Sequence, residues 1–505
     1  MRRSALLLHI SSLPSPWGVG DMGPEAHRLV RSLVRQGLDW QTLPMNETSA
    51  IFRHSPYSPI SAFAGNRLFI SPELMAEDGW IEERDLPPKL PAGPANFEEA
   101  LKIREDLLEK AWRKNREDMG FSLFKESERH WLEDYCLFQS LKRRFSMEPW
   151  HRWPEPYRIR DKSAITEISE ELSDGMDLLA FGQYIFFRQQ RTLHRLCADE
   201  GLELIGDMPI YVIHDSPDVW AHPKLFQLDK DLRPSAVAGV PPDYYSEDGQ
   251  LWGNPLYDWD RHLPDEFGWW MSRLRHALEL YDKIRIDHFR GLVGYWSVPA
   301  DETTAKRGNW VETPSERFFE TLRTNFPTMP FLAEDLGVIT PDVKETMEYL
   351  DIPGMAVLQF AFYGDTGSSP YTPHNHVPSM AVYTGTHDND TTAGWFSTLG
   401  EDSLNRLESY IGRNLDEKAA PETLIRMALG SVAELAVVPA QDLLELGTEA
   451  RMNRPSLKDG NWRWRLDEEG IPESRLDHLG HLIEIYGRKR GNDPDAYAGS
   501  QTKRT

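Results

Sequence analysis

A parallel (β/α)8 TIM barrel is the fold class that this sequence predicts, on three observations. Eight short apolar runs, at residues 4–10, 39–43, 202–207, 282–287, 331–335, 354–360, 380–386 and 434–440, alternate with helical or looped crossovers. Acidic residues stand at or near the ends of three of them: Asp287 in KIRIDHFRGL, Glu334 in FLAEDLGV and Asp388 in VYTGTHDNDT. The length, 505 residues, accommodates one large decorated domain. A carboxylate placed where a β-branched run stops is held at the mouth of a barrel, because the strand behind it is buried while the loop ahead is open. An open doubly wound sheet is the structural alternative, since it too alternates strand and helix.

The first run, SALLLHI, follows two arginines and imitates the start of a secretory signal. Its apolar stretch covers only Ala5 to Leu8 before His9 interrupts it, and no small-residue cleavage pattern follows, so it reads as a strand. A helix begins at Pro24, with Leu29, Val30, Leu33 and Val34 on one face and Gly37 as its stop. After the strand at 39–43, residues 72–175 are polar and helix-rich, with Leu107, Leu108, Ala111 and Trp112 at helical spacing among charges, which marks an insertion. The alternation resumes with a helix through QYIFFRQQRTLHRLCADEG, the strand LELIGDMPIYV and the amphipathic WWMSRLRHALELYD. Between them, residues 239–259 carry Tyr244, Tyr245, Trp252, Tyr257 and Trp259 without helix or strand periodicity, which predicts an aromatic loop at the active site. One catalytic barrel is expected over residues 1–488, and a flexible tail over 489–505.

Lys and Arg total 56 against 80 Asp and Glu, a net charge of −24, which argues against nucleic acid and anionic membrane surfaces as partners. A neutral sugar is not repelled. No stretch approaches the roughly 20 uninterrupted apolar residues of a membrane span. The two cysteines, Cys136 and Cys197, lie far apart inside helix-like stretches, so a disulfide framework is not expected and a cytoplasmic location is.

Three carboxylates around one pocket suit glycoside chemistry, which needs one to attack or stabilise the anomeric carbon, one to protonate the leaving oxygen, and further groups to grip hydroxyls. Arg285 and Arg290 flank Asp287 and would hold it ionised and oriented, although an ion-paired strand end is the plain alternative. Glu334 and Asp335 point to opposite sides if extended, so one faces the site while the other braces a loop. His387, Asp388, Asn389, Asp390 and Thr391 could bind a divalent metal or hydrogen-bond sugar hydroxyls. The sugar reading is preferred, because the other acidic runs lack a second histidine at ligand spacing and Arg285 would oppose a cation. The aromatic loop could stack on sugar rings or pack upon itself.

The motifs RIDHFRG, LAEDLG, YTGTHDNDT, GDMPIYV, PPDYYSEDGQLWGNPLYDW, SPYSPISAFAGN and EARMNRP, with the opening SSLPSPWGVGD, closely resemble the bacterial 4-α-glucanotransferase family, from about residue 4 to about residue 488. The resemblance implies a barrel without a carboxyl-terminal β domain. It also implies transfer of an α-1,4-glucan segment to an acceptor sugar with retention of configuration, on maltooligosaccharides, glucose and α-1,4-glucans, with no cofactor and no metal. By resemblance Asp287 is the nucleophile, oriented by Arg285, Glu334 is the acid/base, and Asp388 with His387 grips the distorted sugar. The two reacting carboxyl groups should then lie about 5 to 5.5 Å apart. Tyr57, Asp207, Trp252, Asn254 and Asn453 match positions lining the sugar subsites. The chain departs from the pattern between Pro44 and Ser55, where MNETSAIFRH lacks the expected glycines, and at Arg67, where a proline commonly follows AFAGN. A hydrolase on the same barrel would share all three carboxylates, and a non-catalytic glucan-binding protein would keep the aromatics without needing them.

Overall fold

The computed structural model describes residues 2–242, 246–455, 457 and 459–489. Eight parallel strands form one sheet: β1 (Arg3–Leu7), β2 (Asp39–Gln41), β3 (Leu204–Pro209), β4 (Lys283–Asp287), β5 (Phe331–Ala333), β6 (Gly354–Val357), β7 (Met380–Tyr383) and β8 (Leu435–Pro439). Their order is β6-β7-β8-β1-β2-β3-β4-β5. The seam between β5 and β6 is closed by the Ala333 amide donating to the Pro353 carbonyl at 2.8 Å, and by the Met355 amide donating to Asp335 Oδ1 at 2.6 Å. Asp335 is thus the bracing member of the Glu334–Asp335 pair. All eight expected strands are present, mostly shorter at their carboxyl ends than the apolar runs, since the backbone leaves the ladder once it reaches the mouth.

Alternation along each strand sorts side chains into two cores. Ala5, Leu7, Ile205, Leu332, Met355, Val357, Ala381, Tyr383, Leu435 and Val437 fill the barrel interior. Their neighbours Leu6, Trp40, Met208, Ile284, Ile286, Phe331, Val382 and Val438 face outward and pack into the larger core beneath the helices. The helix Pro24–Gln36 has proline in its first turn and ends on Gly37, whose left-handed φ of 76° lets its amide reach the carbonyls of Leu33 and Val34. Helices Gly268–Leu280, Ser315–Asn325 and Pro341–Leu350 fill the crossovers that precede β4, β5 and β6. The β6–β7 crossover holds only short 3-10 turns, Leu358–Phe360 and Pro373–Asn375.

The β2–β3 crossover contains the helical excursion, with helices Phe97–Asn115, Met119–Ser127, Arg129–Arg144 and Lys162–Glu171, before the long helix Ser173–Asp199 returns to the barrel. A buried polar network ties it down. Arg67 donates to Glu47 Oε1 from Nε at 3.0 Å and from Nη2 at 2.5 Å, and Tyr135 of the excursion donates to Glu47 Oε2. The 45–54 segment and Arg67, the two places where the chain was expected to depart from the resembling family, meet in one ion pair. Beside it Gly65 lies against Phe186, where a Cβ would come within 2.0 Å of the ring, and Gln183 exchanges hydrogen bonds with its backbone.

A second, antiparallel sheet of four strands (Gln250–Pro255, Ala236–Val240, Gly294–Pro299 and Asn309–Glu312, in that order) is built from the loops that follow β3 and β4. This corrects the expectation of a structureless loop at 239–259: residues 250–255 are a strand paired with 236–240. Gly253, Pro255 and a register shift interrupt the period-2 pattern there, which is why the strand is not visible in the sequence. Tyr257 and Trp259 are buried in an aromatic cluster with Trp270, whereas Trp252 is 37% exposed. Tyr244, Tyr245 and the tail beyond residue 489 lie outside the described residues. Cys136 and Cys197 are buried free thiols, and among the described residues no helix is long and apolar enough to cross a membrane.

Removing one partner of a buried ion pair leaves an uncompensated charge. Arg67→Ala should therefore destabilise the fold by about 3–5 kcal/mol in denaturant melts. The Glu47→Gln/Arg67→Met double variant should lose much less, and equal losses would show that the pairing is not the cause.

Candidate active site

Arg285 and Asp287 are two residues apart on β4, so both point into the barrel. Asp207, inward on β3, meets them from the neighbouring strand, with register partners Asp207 and Arg285 side by side. The Arg285 guanidinium Nη1 lies 2.7 Å from Asp207 Oδ2 and 3.0 Å from Asp287 Oδ1, and Nε lies 3.3 Å from Met355 Sδ. Burial works against the charge of Arg285, but Asp207 and Asp287 outweigh it and hold the guanidinium firmly protonated. Burial pushes the Asp207 carboxyl up, opposed by Arg285. At 2% exposure Asp207 is buried against Arg285, with its Oδ2 taken by Arg285 and Tyr57.

Glu334 follows β5 at the position level with Asp287. The ladder pairs Ile286 with Ala333, and the Glu334 amide donates to the Ile286 carbonyl at 3.0 Å, so the two acidic residues occupy the next rung of adjacent strands. Both carboxylate oxygens of Glu334 accept backbone amides, Oε2 from His288 at 2.8 Å and Oε1 from Leu336 at 2.9 Å. Burial first, and the charge of Asp287 second, push this carboxyl up to about 8, against the pull of Arg285 and the two amides. One carboxylic acid thus stands beside a carboxylate that an arginine holds in place.

The third acidic residue arrives differently. Asp388 stands five residues beyond the end of β7, on the turn after the strand, not at its tip. Asn453, from the segment after β8, donates Nδ2 to Asp388 Oδ1 at 2.6 Å, and Arg451 donates to the Asp388 carbonyl at 2.6 Å. His387 Nε2 lies 3.5 Å from Asp388 Oδ1, and the imidazole stacks on Tyr57 with centroids 4.7 Å apart. Burial keeps the His387 ring neutral despite the nearby Asp388. The Tyr57 hydroxyl, its proton held by burial and by Asp207, donates to Asp207 Oδ2 at 2.8 Å and lies 3.3 Å from His387 Nδ1. A continuous chain of contacts therefore runs from Asp388 through His387, Tyr57, Asp207 and Arg285 to Asp287.

Trp252 reaches this cluster through His288, with its ring edge-on at a centroid distance of 4.7 Å. Asn254 does not join it directly: its Nδ2 donates to the Val212 carbonyl at 3.0 Å and fixes the strand to the segment after β3. Three residues near the site carry no sequence prediction. Arg451 stands within the EARMNRP motif and holds the backbone of Asp388. Trp462 lies 5.8 Å from Tyr57 and 5.9 Å from His387, in a stretch with no periodic signal. His288 follows the nucleophile candidate in RIDHFRG, with a left-handed φ of 52° that no sequence pattern announces. Among the described residues no group of three His, Cys, Asp or Glu side chains could hold a metal ion.

Comparison with known proteins gives a consistent result. The sequence model of a family described as 4-alpha-glucanotransferase matches residues 8–470. A 4-alpha-glucanotransferase of Aquifex aeolicus is 44% identical over 490 residues, covering 97% of this chain and all of the relative, and one of Thermus thermophilus is 44% identical over 478 residues, covering 92% and 95%. A chloroplastic/amyloplastic 4-alpha-glucanotransferase of Solanum tuberosum is 40% identical, covering 96% and 86%. Among solved structures, the amylomaltase of Streptococcus agalactiae in complex with acarbose superposes with a TM-score of 0.93 at 36% identity, covering 97% of this chain and 100% of that one.

Because Glu334 binds its proton more tightly folded (about 8) than unfolded (ordinarily 4.5), its contribution to stability is complete below the unfolded value and is lost as pH rises through about 8. Glu334→Gln should accordingly leave Tm nearly unchanged at pH 4.5 and raise it relative to the parent at pH 9. A Tm difference that does not change with pH would contradict the raised affinity.

Proposed function

This chain belongs to the 4-alpha-glucanotransferase family, retaining enzymes that transfer α-1,4-glucan segments, and from that premise we propose how its carboxylates divide the work. Asp287 is the nucleophile: one of its oxygens attacks C1 of the donor glucose while the bond from C1 to the leaving O4 breaks. Glu334 delivers its proton to that oxygen. In the second half the 4-hydroxyl of an acceptor attacks C1, its proton passes to the Glu334 carboxylate, and Asp287 is released. Two inversions at C1 amount to retention.

The observation that carries this reading is the shared rung of β4 and β5. Adjacent strands lie about 4.8 Å apart. Carboxyls at one level of neighbouring strands therefore suit the separation of about 5 to 5.5 Å that a retaining pair requires. The electrostatics agree with the roles, since Arg285 stands against Asp287 and Glu334 keeps its proton to about 8. Asp388, half exposed and pinned by Asn453, is placed to accept hydroxyls of the distorted sugar, with His387 and Tyr57 as a neutral wall beside it. Maltooligosaccharides, glucose and longer α-1,4-glucans are the substrates of this reading. The barrel and its helical excursion act as one catalytic unit, and the buried free thiols suit a reducing cytoplasm.

Transfer also needs water at about 55 M to be kept from the glycosyl-enzyme, and Trp252, exposed on the sheet over the site, is placed to do so. With maltotriose as sole substrate, the parent should produce glucose together with longer oligosaccharides. Asp287→Asn should abolish both products with an unchanged melt, and Glu334→Gln should lose about 10²–10⁴-fold in kcat. The basic limb of the kcat profile should fall near pH 8, and activity persisting in Asp287→Asn would remove it as nucleophile. Trp252→Ala should raise the ratio of released glucose equivalents to transferred chains, and an unchanged ratio would take the indole out of the explanation.

A further inference from the structure

His288 follows Asp287 in the chain, its amide meets the Glu334 carboxyl, and its backbone is strained. It adopts φ 52° and ψ 47°, the left-handed region that a residue with a β-carbon seldom occupies and that clusters at functional sites. The conformation has one visible effect. It turns the next amide, of Phe289, onto the Glu334 carbonyl at 3.1 Å, the rung that the His288 amide would fill if the ladder ran on, and leaves the His288 amide to donate to Glu334 Oε2 at 2.8 Å. An extended residue at this point would carry the chain on along β4, with its amide on the Glu334 carbonyl as the ladder requires and not on the carboxyl.

Something must hold the strained backbone. The His288 carbonyl accepts the Gly291 amide at 2.9 Å, closing a tight turn, and a Cβ on Gly291 would come within 2.9 Å of the imidazole. The other contact is the indole of Trp252, which meets the ring edge-on at 87° and 4.7 Å, and which is itself packed on Tyr211 at 6.2 Å. The imidazole Nε2 is buried with no partner among the described residues, and the ring packs on the Trp252 indole. We propose that His288 is a positioning residue for Glu334 and that Trp252, by clamping the His288 ring, couples the hairpin over the site to the orientation of the acid/base. The proposal rests on the reading of Glu334 as acid/base.

The groups that face Glu334 are Asp287 and Arg285 from β4 and the amides of residues 288 and 336, so its titration reports on that amide directly. His288→Ala and His288→Gly remove the same ring and admit the same water, but only glycine adopts the left-handed backbone freely. The difference between them isolates the backbone. His288→Gly is expected to keep at least fivefold more kcat than His288→Ala at pH 7, and the basic limb of His288→Ala is expected at least half a pH unit higher, because a carboxylate that loses a donor holds its proton more tightly. His288→Phe, which keeps a ring against Trp252, should retain kcat within about threefold of the parent, and Trp252→Ala should cost several-fold less in the His288→Gly background than in the parent. Equal kcat and equal limbs for the alanine and glycine variants would overturn the proposal. Should His288→Ala fail to fold, a full effect of Trp252→Ala in the His288→Gly background would overturn it instead. Glu334→Gln assayed alongside separates the two failures, since activity retained there would refute the acid/base reading itself.

Discussion

A guanidinium inside a closed barrel is the constraint around which this site is organised. Arg285 is 4% exposed, with Met355 against one edge, and a charge so placed is tolerated only with opposite charge in contact. Asp207 and Asp287 supply it from two strands. The arrangement sorts three acidic positions by environment: Asp207 is consumed beneath the cation, Asp287 is held against it with its side chain still 29% accessible, and Glu334, with the charge of Asp287 beside it, keeps a proton. Tyr57 and His387 then extend the same network outward to Asp388, so the side walls of the pocket take their positions from a charge at its floor.

The β-barrel makes this possible because it separates rigidity from variation. The interior apolar layers fix the heights of strands β3, β4 and β5, while the contacts that hold Asp388 come from long loops after β7 and β8. Glu334 shows the cost of function at one residue. Two backbone amides, one of them from a left-handed histidine, are spent on a carboxyl that burial and a neighbouring charge push up.

Much of this was legible in the chain. The apolar runs marked all eight strands because a strand buried on both faces needs an unbroken apolar segment, and the acidic residues marked the mouth because nothing in a core would require them there. What was not legible depended on partners remote in sequence. The strand at 250–255 is defined by pairing with 236–240 and is interrupted by Gly253 and Pro255, so its own residues carry no period. Asp207 meets Arg285 and Tyr57 only through the pairing of β3 with β4 and the path of the loop after β2, which no local spacing announces. Trp462 lies near His387 only through the path of the last long loop, and the backbone angle of His288 is set by a turn whose geometry no single residue type dictates.

The buried trio of Glu47, Arg67 and Tyr135 bears on how such enzymes diverge. It fastens the helical excursion to the stretch that carries Tyr57, so peripheral architecture and pocket wall share one buried joint. A homologue with proline at the position of Arg67 must satisfy or dispense with an acid at the position of Glu47 by other means. Chimeras that exchange the excursion alone would carry a mismatched joint, and recombination between relatives would succeed most readily where all three positions travel as one block.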